Sequence, residues 1–253
     1  MARFEDKVAI VTGGNSGMGR AAALALAREG ARVVVAARRE TEGQDVVREI
    51  EGSGGEAVFV ATDVTREGEV KNLISGALDA YGRLDVAFNN AGGGRSFGLL
   101  ADQTGEGWRG EVDLNLTSVF FSMKHEIPAM LENGGGVIVN NASQLGLVGI
   151  GGGVAPYVAA KHGVIGLTKA AALEYAQQGV RVNAIAPAGV DTPLFRSTMG
   201  ATEEGAAMIR GLHPVNRIAS PEEVASFVLY LASDDAAFFT GAALAMDGGW
   251  TAQ

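Results

Sequence analysis

The chain of 253 residues contains no cysteine. Disulfide staples, thiolate nucleophiles and cysteine-ligated metals are therefore excluded, and a reducing compartment is compatible with the composition. The three histidines, His125, His162 and His213, are scattered rather than paired as in an HExxH helix, so no built-in metal site is expected. No run of about 18 apolar residues occurs, so nothing reads as a membrane span. The opening MARFEDKVAIVTGG carries Glu5 and Asp6 and meets glycine after a short apolar run, unlike a secretory leader. Positive charge is also scarce: 20 Lys and Arg against 29 Asp and Glu leave a net charge of -9. That balance disfavours non-specific attraction to nucleic acid or anionic membranes. The expectation is a soluble, cytoplasmic protein with no metal, nucleic-acid or membrane partner.

Charged residues make up only 19% of the chain against a usual share of roughly 25%, while apolar residues reach 47%. Disorder is a poor reading, and one large core is within reach of this length. Glycine is abundant, 37 residues with no G-X-Y period, which points to tight turns rather than collagen. Short β-prone runs alternate with helix-prone ones: Val8–Val11, then Arg20–Glu29, Val33–Val35, 41–51, 57–61, 67–80, 84–89, 108–131, 136–141, 155–178, 180–186, 221–232 and 242–246. Short helices are expected across 189–212, and Ser220-Pro221-Glu222-Glu223 reads as a helix cap followed by an acidic first turn. About seven strands and about six helices in this order predict one α/β domain over 1–253: a doubly wound parallel sheet with helices on both faces.

Gly13, Gly17 and Gly19 fall between a strand and a helix, where missing Cβ atoms let a pyrophosphate approach the free N–H groups of the helix start. Asn15, Ser16 and Met18 share that turn, and the absence of a following GK[ST] argues against a P-loop. Beyond the second strand, Arg38 and Arg39 stand where an acidic residue commonly accepts the ribose 2′-OH. Two guanidinium groups there favour NADP(H), with NAD(H) kept open; the alternative is a pair of solvent-facing residues at a helix start. Asp63, ending the third strand, is placed to accept from an adenine amino group.

Tyr157 and Lys161 lie four residues apart on a helix and so share a face, and Ser143 closes the preceding strand. A nearby ammonium would favour the phenolate and bring the tyrosine below its ordinary value of about 10, while a serine hydroxyl could steady a carbonyl oxygen. On spacing alone such a pair is as readily structural as catalytic.

With these motifs in order, TGGNSGMG at 12–19, NNAG at 89–92, Asn115, Ser143, Tyr157-Val158-Ala159-Ala160-Lys161, Pro187-Ala188-Gly189 and Met246-Asp247-Gly248-Gly249, the whole chain resembles the short-chain dehydrogenase/reductase family. The resemblance implies a Rossmann-like fold with Tyr157 as acid/base, Lys161 lowering its pKa and holding the nicotinamide ribose, and Ser143 stabilising the substrate oxygen. It also implies that Asn115 interrupts regular helix bonding to hold a water in a proton relay. Asn89, Asn90, Ala91 and Gly92 would support the sheet and line the cofactor channel, Asp63 and Val64 would contact adenine, and Val190 and Thr192, after Pro187 and Gly189, would grip the carboxamide. Two departures stand out: Ser16 occupies a position that is basic in many NADPH-using relatives, and Asn140-Asn141-Ala142 replaces the common Asn-Ile-Ser before Ser143.

The expected reaction is reversible hydride transfer between NADP(H) and a ketone or secondary alcohol, a carbonyl reductase. Alternatives are a 3-oxoacyl-carrier reductase, an NAD-dependent alcohol dehydrogenase, an isomerase or dehydratase using transient oxidation, and a noncatalytic nucleotide sensor. Candidate substrate walls are Gly93–Phe97, Gln144–Ile150 with Leu145, and the variable segment 188–212 with Leu194, Phe195, Met199 and Met208. Arg95, Arg196 and Arg210 are the cations that an acyl carrier would need, and the methionines could instead only pack a mobile lid. Long helices that are apolar on more than one face, by resemblance, suggest a homotetramer, with a homodimer as the second choice.

Overall fold

The computed structural model describes residues 2–94 and 96–253. Seven strands form one parallel sheet in the order β3-β2-β1-β4-β5-β6-β7. They are β1 Val8–Thr12, β2 Arg32–Ala37, β3 Glu56–Ala61, β4 Val86–Asn89, β5 Gly136–Asn141, β6 Val180–Pro187 and β7 Ala243–Met246. Between them run α1 Gly17–Arg28, α2 Glu40–Gly52, α3 Glu67–Tyr81, α4 Gly105–Val112, α5 Ser118–Glu132, α6 Ala155–Tyr175, α7 Pro193–Ser197, α8 Glu203–Leu212 and α9 Pro221–Ala232.

The sheet is buried on both faces, so its central strands are continuously apolar rather than alternating. β1 shows how one strand serves two cores: Ala9 and Val11 pack with α1, α2 and α9, while Val8 and Ile10 point to the opposite face against α3, α5 and α6. This is the expected doubly wound architecture. α9 starts where Ser220 accepts from the Glu223 N–H and the Glu223 carboxylate accepts from the Ser220 N–H, a complete capping box. No helix among the described residues is long and apolar enough to cross a membrane.

Two boundaries differ from the sequence expectation. The helical region expected over 108–131 begins at Gly105, because Thr104 caps it by accepting from the Gly107 N–H, and it is not one helix. A π-helical turn at Asp113–Thr117 separates α4 from α5. Such turns insert a residue into the regular ladder and frequently mark functional sites. Asn115 sits inside this one.

β1 is the point where strand order reverses, with β2 on one side and β4 on the other. In open α/β sheets the crevice beyond the strand ends at such a point is where ligands bind.

Candidate active site

A cleft of about 420 Å³ opens beyond the ends of β1 and β4. The turn after β1 supplies Gly13, Asn15, Ser16, Gly17 and Met18; the end of β2 supplies Arg38 and Arg39; Asp63 and Val64 follow β3; Asn90, Ala91 and Gly92 follow β4; and Thr192 closes the far wall. Gly13 and Gly17 have φ of 64° and 52°, the left-handed region where a side chain is strained. Gly19 is needed for packing rather than lining: a Cβ there would meet the Gly13 carbonyl oxygen and stand 2.5 Å from Nδ2 of Asn90. Ser16, at the N-cap of α1, makes no side-chain capping bond and lines the cleft at the start of the helix.

The two strand ends are stitched together by side chains. Oγ1 of Thr12 accepts from the Asn90 and Ala91 amides at 3.0 and 3.1 Å, and Nδ2 of Asn90 donates to the Thr12 carbonyl at 3.0 Å. With its amide turned to suit its neighbours, Asn15 accepts from Nη2 and Nε of Arg39 at 2.9 and 3.1 Å. Arg39 also pairs with Glu42 at 3.3 Å. Burial pushes the Asp63 carboxyl up, but hydrogen bonds from Thr65 and the charges of Arg38 and Arg66 outweigh it, leaving the group below its ordinary value.

None of the catalytic candidates Asn115, Ser143, Tyr157 and Lys161 lines this cleft; Asn115 and Lys161 lie directly behind its Gly92–Gly93 wall. Lys161 is buried on α6 and donates through Nζ to the Asn141 carbonyl at the end of β5, at 2.7 Å. Ser143 is hydrogen-bonded to the Tyr157 side chain, accepts from the Leu145 N–H at 3.1 Å and donates to Oε1 of Gln144 at 2.7 Å. Asn115 grips Gly93 twice: Oδ1 accepts from the Gly93 N–H at 3.0 Å and Nδ2 donates to its carbonyl at 2.9 Å. Gly92 joins the two regions, since a Cβ on it would lie 2.9 Å from Oδ1 of Asn115 and 3.5 Å from Nζ of Lys161.

The electrostatics of the protein alone run opposite to the expectation of a lowered tyrosine. Burial pushes the Tyr157 phenol up to about 12, against a hydrogen bond with Ser143 that lowers it, with the charge of Glu111 raising it further. Burial brings Lys161 down to about 8, which the Glu111 charge opposes. The ammonium lies 5.6 Å from the centre of the Tyr157 ring, over its face rather than at its hydroxyl.

Several expected residues are placed elsewhere. Asn89 is not in the cleft wall: it is buried in the sheet, donating through Nδ2 to Glu126 and to Asn140, both at 3.0 Å. Pro187, Gly189 and Val190 lie behind the wall, where the Gly189 N–H donates to Nε2 of His213 at 3.1 Å and Val190 bridges to Ala219. Of the apolar substrate candidates, Leu194 lines the cleft and Ile150 and Met199 are exposed, whereas Phe195 is buried under its own loop. Leu145 and Gln144 stay beside Ser143 in a short 3-10 turn. Arg196 is held by Asp191 at 2.7 Å and Arg210 by Glu203; Arg95 lies outside the described residues. The sequence reading missed Thr12, Leu114 and Pro193, and above all Glu111, whose only sequence signal is its place four residues before Asn115.

A turn shaped for phosphates beside a Ser-Tyr-Lys group describes a nucleotide-dependent enzyme, and comparison with known proteins agrees. Residues 13–251 match the family model described as enoyl-(acyl carrier protein) reductase. The chain is 45% identical over 251 residues to cyclohexanol dehydrogenase of Acinetobacter sp. (strain SE19), covering 99% of this chain and 97% of that protein. It is 42% identical over 257 residues to 2,5-dichloro-2,5-cyclohexadiene-1,4-diol dehydrogenase of Sphingobium indicum, covering 100% of both. The crystal structure of levodione reductase matches with a TM-score of 0.94 at 34% identity, over 99% of each chain. The chain belongs to the short-chain dehydrogenase/reductase family, whose enzymes use NAD(H) or NADP(H).

Proposed function

We propose that this enzyme interconverts cyclic secondary alcohols and ketones by reversible hydride transfer with NADP(H). The observation that carries the chemistry is the Ser143, Tyr157 and Lys161 group, with Nζ of Lys161 directly behind the Gly92 wall of the cleft. The names of the relatives, a cyclohexanol and a cyclohexadienediol dehydrogenase, support ring alcohols as the substrate class.

The residues fit a dinucleotide: positive φ at Gly13 and Gly17, the close packing that Gly19 permits, and the Ser16 hydroxyl at the start of α1 together make a pyrophosphate cradle. A bound nicotinamide supplies the hydride acceptor or donor. The protein's own residues do the rest. Ser143 holds the substrate oxygen, Tyr157 takes or gives its proton, and Lys161, fixed by the Asn141 carbonyl, supplies positive charge beside the phenol.

Arg38 supports the NADP(H) preference. It lines the cleft directly after the buried Ala37, and its charge reaches Asp63, while Arg39 is engaged by Asn15 and Glu42. An NAD-dependent alcohol dehydrogenase is the second reading, supported by Ser16 where a second basic residue would strengthen phosphate binding. The acyl-carrier reading loses two of its cations to Asp191 and Glu203. Exposed Leu173 and Phe238 support association between copies of the chain, for which a homotetramer is the proposed form.

The test compares initial rates with cyclohexanol and cyclohexanone using both nucleotide pairs. Turnover favouring NADP(H) is expected; faster turnover with NAD(H) would overturn the cofactor preference, and none with either pair would overturn the substrate class.

A further inference from the structure

A fully buried carboxylate, Glu111, sits in the last turn of α4 beside the catalytic group, and neither the glycine turn nor the Ser-Tyr-Lys chemistry accounts for it. Burying a carboxylate is costly unless its oxygens are paired. Here they are. Oε1 accepts from Nδ2 of Asn115 at 2.9 Å, and Oε2 accepts from the Ser96 backbone N–H, also at 2.9 Å.

Those partners belong to different machinery. Asn115 lies in the π-helical turn and holds Gly93 by both its N–H and its carbonyl. Ser96 follows three residues later in the chain, and its hydroxyl donates to Oε1 of Gln103 at 2.5 Å. Nε2 of Gln103 in turn donates to the Gly98 carbonyl at 2.6 Å, and the Gly98 N–H donates to the Gly153 carbonyl at 3.0 Å, just ahead of the helix carrying Tyr157. Gly93 is thus tied to the π-helical turn, Ser96 to α4, and Gly98 to the entrance of α6. An apolar residue at 111 would fill the space at less cost, but it would supply no acceptor for either donor.

We propose that Glu111 is a positioning residue for hydride transfer: it clamps the Asn115 amide and the Gly93–Ser96 wall together, so that the nucleotide cleft and the proton-transfer group keep one fixed geometry. This role rests on the hydride-transfer reading above. The charge of Glu111 also acts on Tyr157 and Lys161, favouring phenol and ammonium over phenolate and amine.

Glu111→Ala and Glu111→Gln, in the full-length protein, separate a clamp from a space filler. Each is measured for kcat and KM with cyclohexanol and NADP+, and for amide hydrogen exchange across residues 93–103. The Ala variant should lose roughly 10- to 100-fold in kcat, as expected for a slightly misplaced reacting group, with KM for NADP+ changed far less. Gln has the same shape and keeps one carbonyl acceptor, so its kcat should fall between those of Ala and wild type. Exchange over 93–103 should quicken in the order wild type, Gln, Ala. A Gln variant equal to wild type in both readouts would reduce Glu111 to a space filler, and an Ala variant with wild-type kcat and exchange would overturn the clamp outright. If wild type turns over no alcohol, the hydride-transfer reading fails on its own, while exchange in the variants still decides whether Glu111 holds the wall.

Discussion

Glu126 gives the sharpest stability prediction. It is fully buried on α5, where Oε2 accepts from Nδ2 of Asn89 while Oε1 has no partner among the described residues. Burial pushes its carboxyl up from 4.5 to about 8, with the Asn89 hydrogen bond opposing. In the fold the acid therefore keeps its proton up to about pH 8, whereas in the unfolded chain it ionises near 4.5. Stability from this group is fully present below 4.5 and is lost as pH climbs to about 8. At about 1.4 kcal/mol for each pH unit, the loss is on the order of 5 kcal/mol. Glu126→Gln is neutral at every pH and escapes it. Urea unfolding of both proteins at matched concentration, from about pH 5 to pH 8.5, should show the wild type falling progressively below the variant. For a chain of this size, thermal midpoints should separate by on the order of 10 °C at the alkaline end. Curves that stay parallel across that range would mean that the carboxyl is already ionised inside the fold, and the argument from burial would be wrong.

Two further predictions concern the cleft. Gly19→Ala puts a methyl group against the Gly13 carbonyl and the Asn90 amide, so it should cost about 1–3 kcal/mol in urea unfolding and weaken NADPH binding followed by fluorescence; wild-type affinity would show that the α1 start does not set the cradle. Arg38→Leu should cut kcat/KM for NADP+ by roughly 10- to 100-fold, the worth of a charge-assisted hydrogen bond, and leave NAD+ nearly unchanged. An equal loss with both nucleotides would remove Arg38 from phosphate recognition.

Features written locally in the chain were legible in the sequence. The glycine turn, the two arginines after β2 and the four-residue step from Tyr157 to Lys161 each depend on neighbours within one strand-turn-helix unit or one helix turn, and they lie where local pattern puts them. What depends on distant partners was not legible. Asn89 reads as part of a cofactor motif, yet its side chain is taken by Glu126 and Asn140, 37 and 51 residues away. Phe195 reads as a pocket wall but folds under its own loop. Glu111 is marked only by its place four residues before Asn115, because its second partner is a backbone N–H from a loop 15 residues earlier. The direction of the Tyr157 shift in the protein alone was not legible either: spacing places Lys161 on the same face, but only the fold brings in the loss of solvent and the Glu111 charge that raise the phenol.

The proposed chemistry is direct hydride transfer with Tyr157 managing the proton. It is tested by following deuterium from the carbinol carbon of cyclohexanol during turnover with oxidised nucleotide. The label should appear in the reduced nicotinamide with wild-type protein, and Tyr157→Phe, still folded, should slow its appearance by roughly 100- to 10,000-fold. Cyclohexanone formed without label in the nucleotide, or a Phe variant as fast as wild type, would contradict the account.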